Sequence, residues 1–365
     1  MFSVYQHWDP LKDCIMGISY PPELYDYISD KKIRDVFYRI AEETEEDYQK
    51  YIKLLEKFGV NILRPNIEPL IDRAKYQIKH NLQVPRPTWV MQPRDFGIMI
   101  GEEFYLPMSD EYAHIIDHVK KQGNKVITDH RQELTDIEKY YLRNINYTVV
   151  EEFRYAAAVN SALTTRVGKD LYVGTWEWFD KNDHRFPDVK RELQLRFPNH
   201  RVHVLHTAGH TDGSFCPVVP GLIFSLFHID NYNETFPGWE VIYLQGESWS
   251  KVSSFLNLKQ QNEGKWWVPG EELNNEFTNF VEQWLNHWVG YAEESVFDVN
   301  MLVIDEKNVV VNSQNELVWE ALEKRNITPH VCNFRHRYFW DGGLHCITND
   351  LNRIGVMNDY FPERQ

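Results

Sequence analysis

A chain of 365 residues with 42% hydrophobic and 25% charged side chains is globular in composition and long enough to bury a large core. A net charge of −15 with no basic block argues against a nucleic-acid or anionic-membrane surface. Four scattered cysteines make no CxxC or zinc spacing, no apolar run reaches membrane-spanning length, and Met1-Phe2-Ser3-Val4-Tyr5 does not open a signal or transit peptide. The expected setting is reduced and cytoplasmic.

In chain order, Asp13-Cys14-Ile15-Met16-Gly17-Ile18 reads as a buried strand stopped by Pro21-Pro22. Over residues 31–58, Val36, Ile40, Tyr48, Tyr51, Leu54 and Leu55 fall at helical spacings among Glu and Lys, and Gly59 reads as the C-terminal cap. Residues 60–63 give a second strand ended by Arg64-Pro65, so the order strand, helix, strand predicts an α/β protein. Residues 66–87 are polar and read as loop. Arg94-Asp95 then stands just before an apolar strand that runs to residue 100; Asp95 either grips a cationic ligand, pairs with Arg94 or caps the turn. A turn at Gly101-Glu102-Glu103 leads into residues 104–106, and residues 109–122 are helical up to Gly123.

A charged stretch over residues 129–146 precedes strands at 147–150 and 171–173, with Ala156-Ala157-Ala158-Val159-Asn160-Ser161-Ala162 between them suited to close packing. Residues 187–197 read as a surface helix. Strands at 221–227 and 239–244 flank a turn at Phe236-Pro237-Gly238, and residues 248–275 form a long irregular insertion with Trp266-Trp267. A helix over 276–288 follows. A hairpin then brackets Asp305-Glu306-Lys307-Asn308, before a helix over 314–324 and a strand over 327–332. No linker-like run interrupts the pattern, so residues 1–365 are expected to form one domain.

Two stretches carry chemistry. In the run from His203 to Phe215, three histidines invite a zinc site, but His203, His206 and His210 match neither HExxH nor a finger. The alternative is one imidazole working as acid and base, with the carboxylate of Asp212 two residues on; His203 and His206 then face out from a strand. The second stretch is Asp341-Gly342-Gly343-Leu344-His345-Cys346-Ile347-Thr348-Asn349-Asp350. Its paired glycines let the backbone take positive φ and bend before the thiol. A free thiol titrates near ~8.5, so a nucleophilic Cys346 needs a cationic partner, such as its substrate or a distant histidine. The alternative is a small buried hydrophobe.

The order of these motifs resembles the arginine:glycine amidinotransferase family of the guanidine-modifying, or pentein, superfamily, nearly end to end. The likeness runs through Trp8-Asp9-Pro10-Leu11, Gly59-Val60, Arg64-Pro65, Pro93-Arg94-Asp95, His210-Thr211-Asp212-Gly213-Ser214-Phe215, Gly238-Trp239, Asp305-Glu306-Lys307 and Gly342-Gly343-Leu344-His345-Cys346. The resemblance implies a five-bladed α/β propeller of ββαβ units. It also implies covalent catalysis without metal or cofactor. Cys346 attacks a guanidinium carbon, His210 protonates the leaving amine, and an acceptor amine then takes the amidino group. Asp95 and Asp212 match positions that hold the planar cation through fork-like, charge-assisted bonds. The bound cation would also favour the thiolate. The partners implied are a small guanidino donor and an amine acceptor; the tryptophan-rich insertion serves either to wall out water or as an oligomer contact, as in a homodimer.

The departures bear on substrate. Family members carry an acidic pair around two alanines before a Gly-Arg-Asp strand, whose second acid grips the guanidinium. With Gly168-Lys169-Asp170 as anchor, that pair falls on Asn160 and Leu163, and a local insertion puts Asn160 in the gripping place. The donor is then held otherwise, by Glu151 or Glu152, or it is not arginine. A family arginine on the donor carboxylate has no counterpart around His228-Ile229-Asp230-Asn231, and Asp298 replaces a family serine. Acids in place of a cation and a hydroxyl favour an amine-bearing ligand over a carboxylate. Two other outcomes fit the same residues: a hydrolase of the superfamily, with water as acceptor, or a binding protein that kept the fold and lost the chemistry.

Overall fold

The computed structural model describes residues 1–82, 84, 87–106, 109–128, 160–175, 186–207, 210–226, 231–244, 268, 270–271, 273–285, 298–340 and 342–364. The strand expected at 147–150, the charged stretch before it and most of the insertion, including Trp266-Trp267, lie outside these residues.

Strand β1 (Leu11–Met16) buries Leu11, Cys14, Ile15 and Met16. The helix Lys31–Glu56 follows, capped by Asp30, whose carboxylate accepts from Lys32 N at 2.8 Å and Ile33 N at 3.4 Å. Its stripe Val36, Phe37, Ile40, Tyr48, Tyr51 and Leu55 packs into the largest apolar cluster. Gly59, at φ +73°, ends the turn as expected. β2 (Asn61–Leu63) then pairs parallel to β1.

The loop expected over residues 66–87 is largely a helix, Glu68–Lys79. Pro69 stands in its first turn, where a missing N–H costs nothing, and Leu70 and Ala74 are buried one turn apart.

The strand, helix, strand pattern recurs through the described residues. β3 (Ile98–Ile100) and β4 (Glu103–Tyr105) pair antiparallel, and β5 (Lys125–Ile127) joins β4 in parallel after the helix Ala113–Lys121. β6 (Thr164–Val167), β7 (Asp170–Thr175) and β8 (Arg201–His206) repeat this around the helix Phe186–Arg196. β9 (Phe215–Val219), β10 (Leu222–Ser225) and β11 (Glu240–Tyr243) do so around a short helical turn, Tyr232–Thr235. β12 (Leu302–Asp305), β13 (Asn308–Val311) and β14 (Thr328–Val331) do so around the helix Glu316–Glu323. The final strand, β15 (Thr348–Arg353), pairs antiparallel to β1 and completes the sheet begun at the N-terminus. The chain thus closes on itself just after Cys346. Five small three-stranded sheets result among the described residues, each with one antiparallel and one parallel pair.

β15 is buried although it reads Thr-Asn-Asp-Leu-Asn-Arg. Its polar groups are hydrogen-bonded: Thr348 Oγ1 to His345 O, Asn349 Nδ2 to Pro93 O and Gly97 O, and Asp350 to three arginines.

Candidate active site

Cys346 sits on the turn that feeds β15. Two backbone bonds, Ile347 N to Gly343 O and Thr348 N to His345 O, tighten the turn. Asn300, in the approach to β12, holds it from the side. Asn300 Oδ1 accepts from His345 N at 2.8 Å and Cys346 N at 3.2 Å, while Nδ2 donates to Cys346 Sγ at 3.2 Å and Asp212 O at 3.3 Å. The glycine pair is needed for this approach and not for positive φ, which neither residue adopts. A Cβ on Gly343 would lie 2.5 Å from Asn300 Oδ1, and one on Gly342 would lie 2.5 Å from Gln92 Nε2.

His210 is the N-cap residue of a short helical turn, Thr211–Ser214, and accepts Ser214 Oγ on its carbonyl at 3.1 Å. That turn rests on the segment containing Asn160: Thr211 N donates to Ala162 O at 2.8 Å, and Asn160 Oδ1 accepts from Leu163 N at 2.8 Å. Asp212 is thereby carried to the thiol, with its Oδ2 at 3.8 Å from Cys346 Sγ. The same oxygen takes His345 Nδ1–H at 2.8 Å. Burial, with Arg94 and His7 adding to it, holds the His345 imidazole well below its usual range, so this pair is a neutral donor on a carboxylate. His7 stands beside it, with ring centres 5.8 Å apart. Its Nε2 accepts from Arg166 N, as a deprotonated nitrogen must, and burial pushes its pKa well down too.

Asp95 closes a 3-10 turn, Pro93–Asp95, and is partly buried. Its turn is tied to the thiol's loop by Arg94 Nε to His345 O at 2.6 Å and by Asn349 Nδ2 to Pro93 O at 3.0 Å. Ser161 N also donates to Gly97 O, which brings the segments of Asn160 and Asp95 side by side. Asp298 is buried two residues before Asn300; its Oδ2 accepts from Ser313 Oγ at 3.0 Å, and burial pushes its carboxyl above the usual range against that bond and Arg337.

Of the residues singled out in the sequence, Cys346 and Asp212 are in direct contact. The segments carrying His210, Asn160, Asp95 and Asp298 meet them through named backbone or side-chain bonds. Glu151, Glu152, His228, Asp230 and Asp341 lie outside the described residues. His203 does not join the site: its Nε2 meets Asp170 Oδ1 at 2.6 Å and its ring stacks on Tyr172. Sequence reasoning gave no role to Asn300, His7, Arg166 or Arg353, quoted His345 only as part of a motif, and offered Arg94 only as a partner for Asp95, whereas it pairs with Asp350. The available signal was charge inside strands, as at Arg166 and Arg353, where an unpaired charge is too costly to be incidental.

Comparison with known proteins finds similar chains and a similar fold. The chain aligns over 98% of its length with the mitochondrial glycine amidinotransferase of Xenopus tropicalis, at 24% identity and 84% of that protein. It aligns over the same share with the L-arginine:L-lysine amidinotransferase of Pseudomonas savastanoi pv. phaseolicola, at 20% identity and 96% of that protein. Its fold matches that of an amidinotransferase from the saxitoxin biosynthetic pathway of Microseira wollei, with TM-score 0.59, 18% identity and 99% of each chain covered. It matches the inosamine-phosphate amidinotransferase of Streptomyces griseus equally well, with TM-score 0.59, 20% identity and the same coverage. No protein-family model matches the chain. No described helix is long and apolar enough to cross a membrane.

Proposed function

We propose that this chain, a member of the amidinotransferase family, moves an amidino group from a guanidino donor to an acceptor amine through a covalent intermediate on Cys346. The observation that carries this reading is the approach of Asp212 Oδ2 to Cys346 Sγ at 3.8 Å, with Asn300 bonded to both residues. A carboxylate beside a sulfur suits a substrate that is planar, cationic and attacked at the carbon between its nitrogens.

In this reading the Cys346 thiolate adds to the guanidinium carbon. The tetrahedral adduct collapses as His210 gives a proton to the leaving amine, which leaves an amidino group on sulfur. The acceptor amine loses a proton to the same histidine and attacks that carbon, and the thiolate departs. Asp95 and Asp212 orient the cation. The five sheets are read as blades of one pentein propeller spanning residues 1–365. A cytoplasmic setting agrees with four cysteines that form no disulfide.

Substrate choice departs from arginine and glycine. Asn160 Oδ1 already accepts from Leu163 N, so the side chain offers at most one further acceptor site and no charge. Asp298 adds a buried acid where the family has a hydroxyl, which favours an amine-bearing ligand. The test is incubation with arginine and a panel of amines, among them glycine, lysine and diamines, followed by detection of the amidinated product. Transfer to an amine-rich acceptor, lost in Cys346→Ala, supports the reading. Glycine-dependent turnover at ordinary rates counts against altered choice, and citrulline formed without any amine favours hydrolysis.

A further inference from the structure

A buried charge imbalance lies behind the Cys346 turn. Arg94 Nη2 donates to Asp350 Oδ1 at 2.8 Å, and Arg166 Nη2 and Arg353 Nε donate to Oδ2 at 2.9 and 2.8 Å. All four side chains are at most 1% exposed. Further guanidinium donors go to backbone carbonyls: Arg94 to His345, Arg166 to Met99, and Arg353 to Asp9 and Val303. Arg94 Nη1 and Arg166 Nε have no hydrogen-bond partner among the described residues. Three guanidinium groups therefore bond one carboxylate, and among the described residues only the partly buried Asp9 carboxylate, not bonded to them, adds to it by acting on Arg353. Carbonyls satisfy donors but cancel no charge, so negative charge nearby is strongly favoured.

Arg94 grips the carbonyl of the peptide that joins His345 to Cys346, which sets the cluster one peptide away from the thiol. We propose that the Arg94–Arg166–Arg353–Asp350 cluster is the resident positive charge that holds Cys346 as thiolate before any guanidine arrives. Its arginines are then positioning residues, and the inference rests on the reading of Cys346 as nucleophile.

His345, His7, Asp212 and Asn300 supply no cation beside the sulfur. His345 and His7 are kept neutral by burial and by the same arginines, so neither supplies a cation. Asp212 opposes the thiolate from 3.8 Å, but the His345 Nδ1–H draws on the oxygen nearest the sulfur. Asn300 Nδ2–H points at the sulfur and adds a dipole of the right sign. Tyr51, whose hydroxyl meets Leu344 O, is held protonated by burial. Asp95, His210 and Asp298 stand on the flanking turns. Two further thiols, Cys14 and Cys216, feel Arg94 and Arg353 but are pushed up to about 12 by burial, and among the described residues neither sulfur meets a side-chain donor such as Asn300.

Iodoacetamide alkylation of Cys346, followed by peptide mass spectrometry across pH in guanidine-free buffer, reads the titration midpoint without turnover. Failure of amidino transfer would leave this readout intact, so the two proposals fail separately. The wild-type midpoint is expected below the ordinary ~8.5 of a free thiol; a midpoint at or above that value overturns the proposal with no variant needed. Arg166→Met should raise the midpoint by about one unit, and Arg166→Lys should restore it. Asp350→Asn should lower it. Packing damage would weaken both variants without moving their midpoints in opposite directions. Midpoints that stay fixed, or move together, in folded Arg166→Met and Asp350→Asn overturn the inference.

Discussion

Asp212 Oδ2 lies 3.8 Å from Cys346 Sγ while accepting His345 Nδ1–H, although 134 residues of chain separate Asp212 from the cysteine. A carboxylate this close to a sulfur would suppress an isolated thiolate. It becomes useful when a guanidinium lies against both, since the cation is then attracted to the carboxylate and attacked by the sulfur. In the proposed reading the pair suits a cationic substrate, and its histidine neighbour fixes the carboxylate without carrying charge.

Asn300 joins His345 N, Cys346 N, Cys346 Sγ and Asp212 O in one side chain. Asn300→Ala leaves two buried N–H groups without their acceptor, which costs about 1–3 kcal/mol. Expected are lower stability in urea and a roughly 10- to 100-fold slower labelling of Cys346 by a guanidine donor. Unchanged labelling in a folded variant would remove Asn300 from the site's geometry.

Gly343→Ala tests the same contact from the other side. The new Cβ would meet Asn300 Cβ and Cγ at 2.9 Å and Oδ1 at 2.5 Å, and Asn300 is held by its own bonds and cannot yield freely. Overpacking of this kind costs about 1–3 kcal/mol. The variant should resemble Asn300→Ala in both stability and labelling rate.

Buried histidines set the acid limit. His7, His345 and His336 are held below their usual range mainly by burial, and His200 is pushed down to about 4 by burial. Below pH ~6.5 the unfolded chain protonates these rings and the native protein does not, so stability falls as pH drops, by up to about 1.4 kcal/mol per pH unit for each ring. Asp350 does not act in this window: burial alone would raise it, but Arg166, Arg353 and Arg94 hold it well below the carboxylate range. Urea unfolding should show less stability at pH 5.5 than at pH 7.5, with a shallower fall in His345→Gln. Equal stability at the two pH values would contradict this assignment.

Asn160→Asp places a charge where the resemblance to the amidinotransferases implies a donor-gripping acid. A charge-assisted bond exceeds a neutral one by enough to speed arginine labelling of Cys346 roughly 10-fold. No change, with the fold intact, would mean that the donor is held elsewhere.

How much was legible follows from what each segment buries. β1, the helix Lys31–Glu56 and β2 were readable because apolar side chains fall at the period of the element. The helix Glu68–Lys79 was misread because Pro69 and a polar surface hide a narrow apolar face. β15 and β6 escaped notice because their buried residues are mostly polar, Thr348, Asn349, Asp350 and Arg353 around Leu351, and Thr164, Thr165 and Arg166 before Val167. Such strands look like loops until their partners are known. Cys346, His210 and Asp212 were singled out through motif order, and the structure brings Asp212 to Cys346. Asn300, Arg166 and the true partner of Arg94 were not, since the partners lie far along the chain: 46 residues from Asn300 to Cys346, 184 from Arg166 to Asp350 and 256 from Arg94 to Asp350. Local patterns carry no trace of such pairings.

The central claim is a covalent amidino-cysteine, and intact mass spectrometry tests it most directly. The protein is incubated with arginine, guanidinoacetate and other guanidines in the absence of any acceptor amine. The account predicts that at least one donor adds the mass of a single amidino group, mapped to Cys346, absent in Cys346→Ser and discharged by an acceptor amine. If no guanidine labels Cys346 while iodoacetamide does, the thiol is reachable but guanidinium capture is gone, and the transferase account is contradicted.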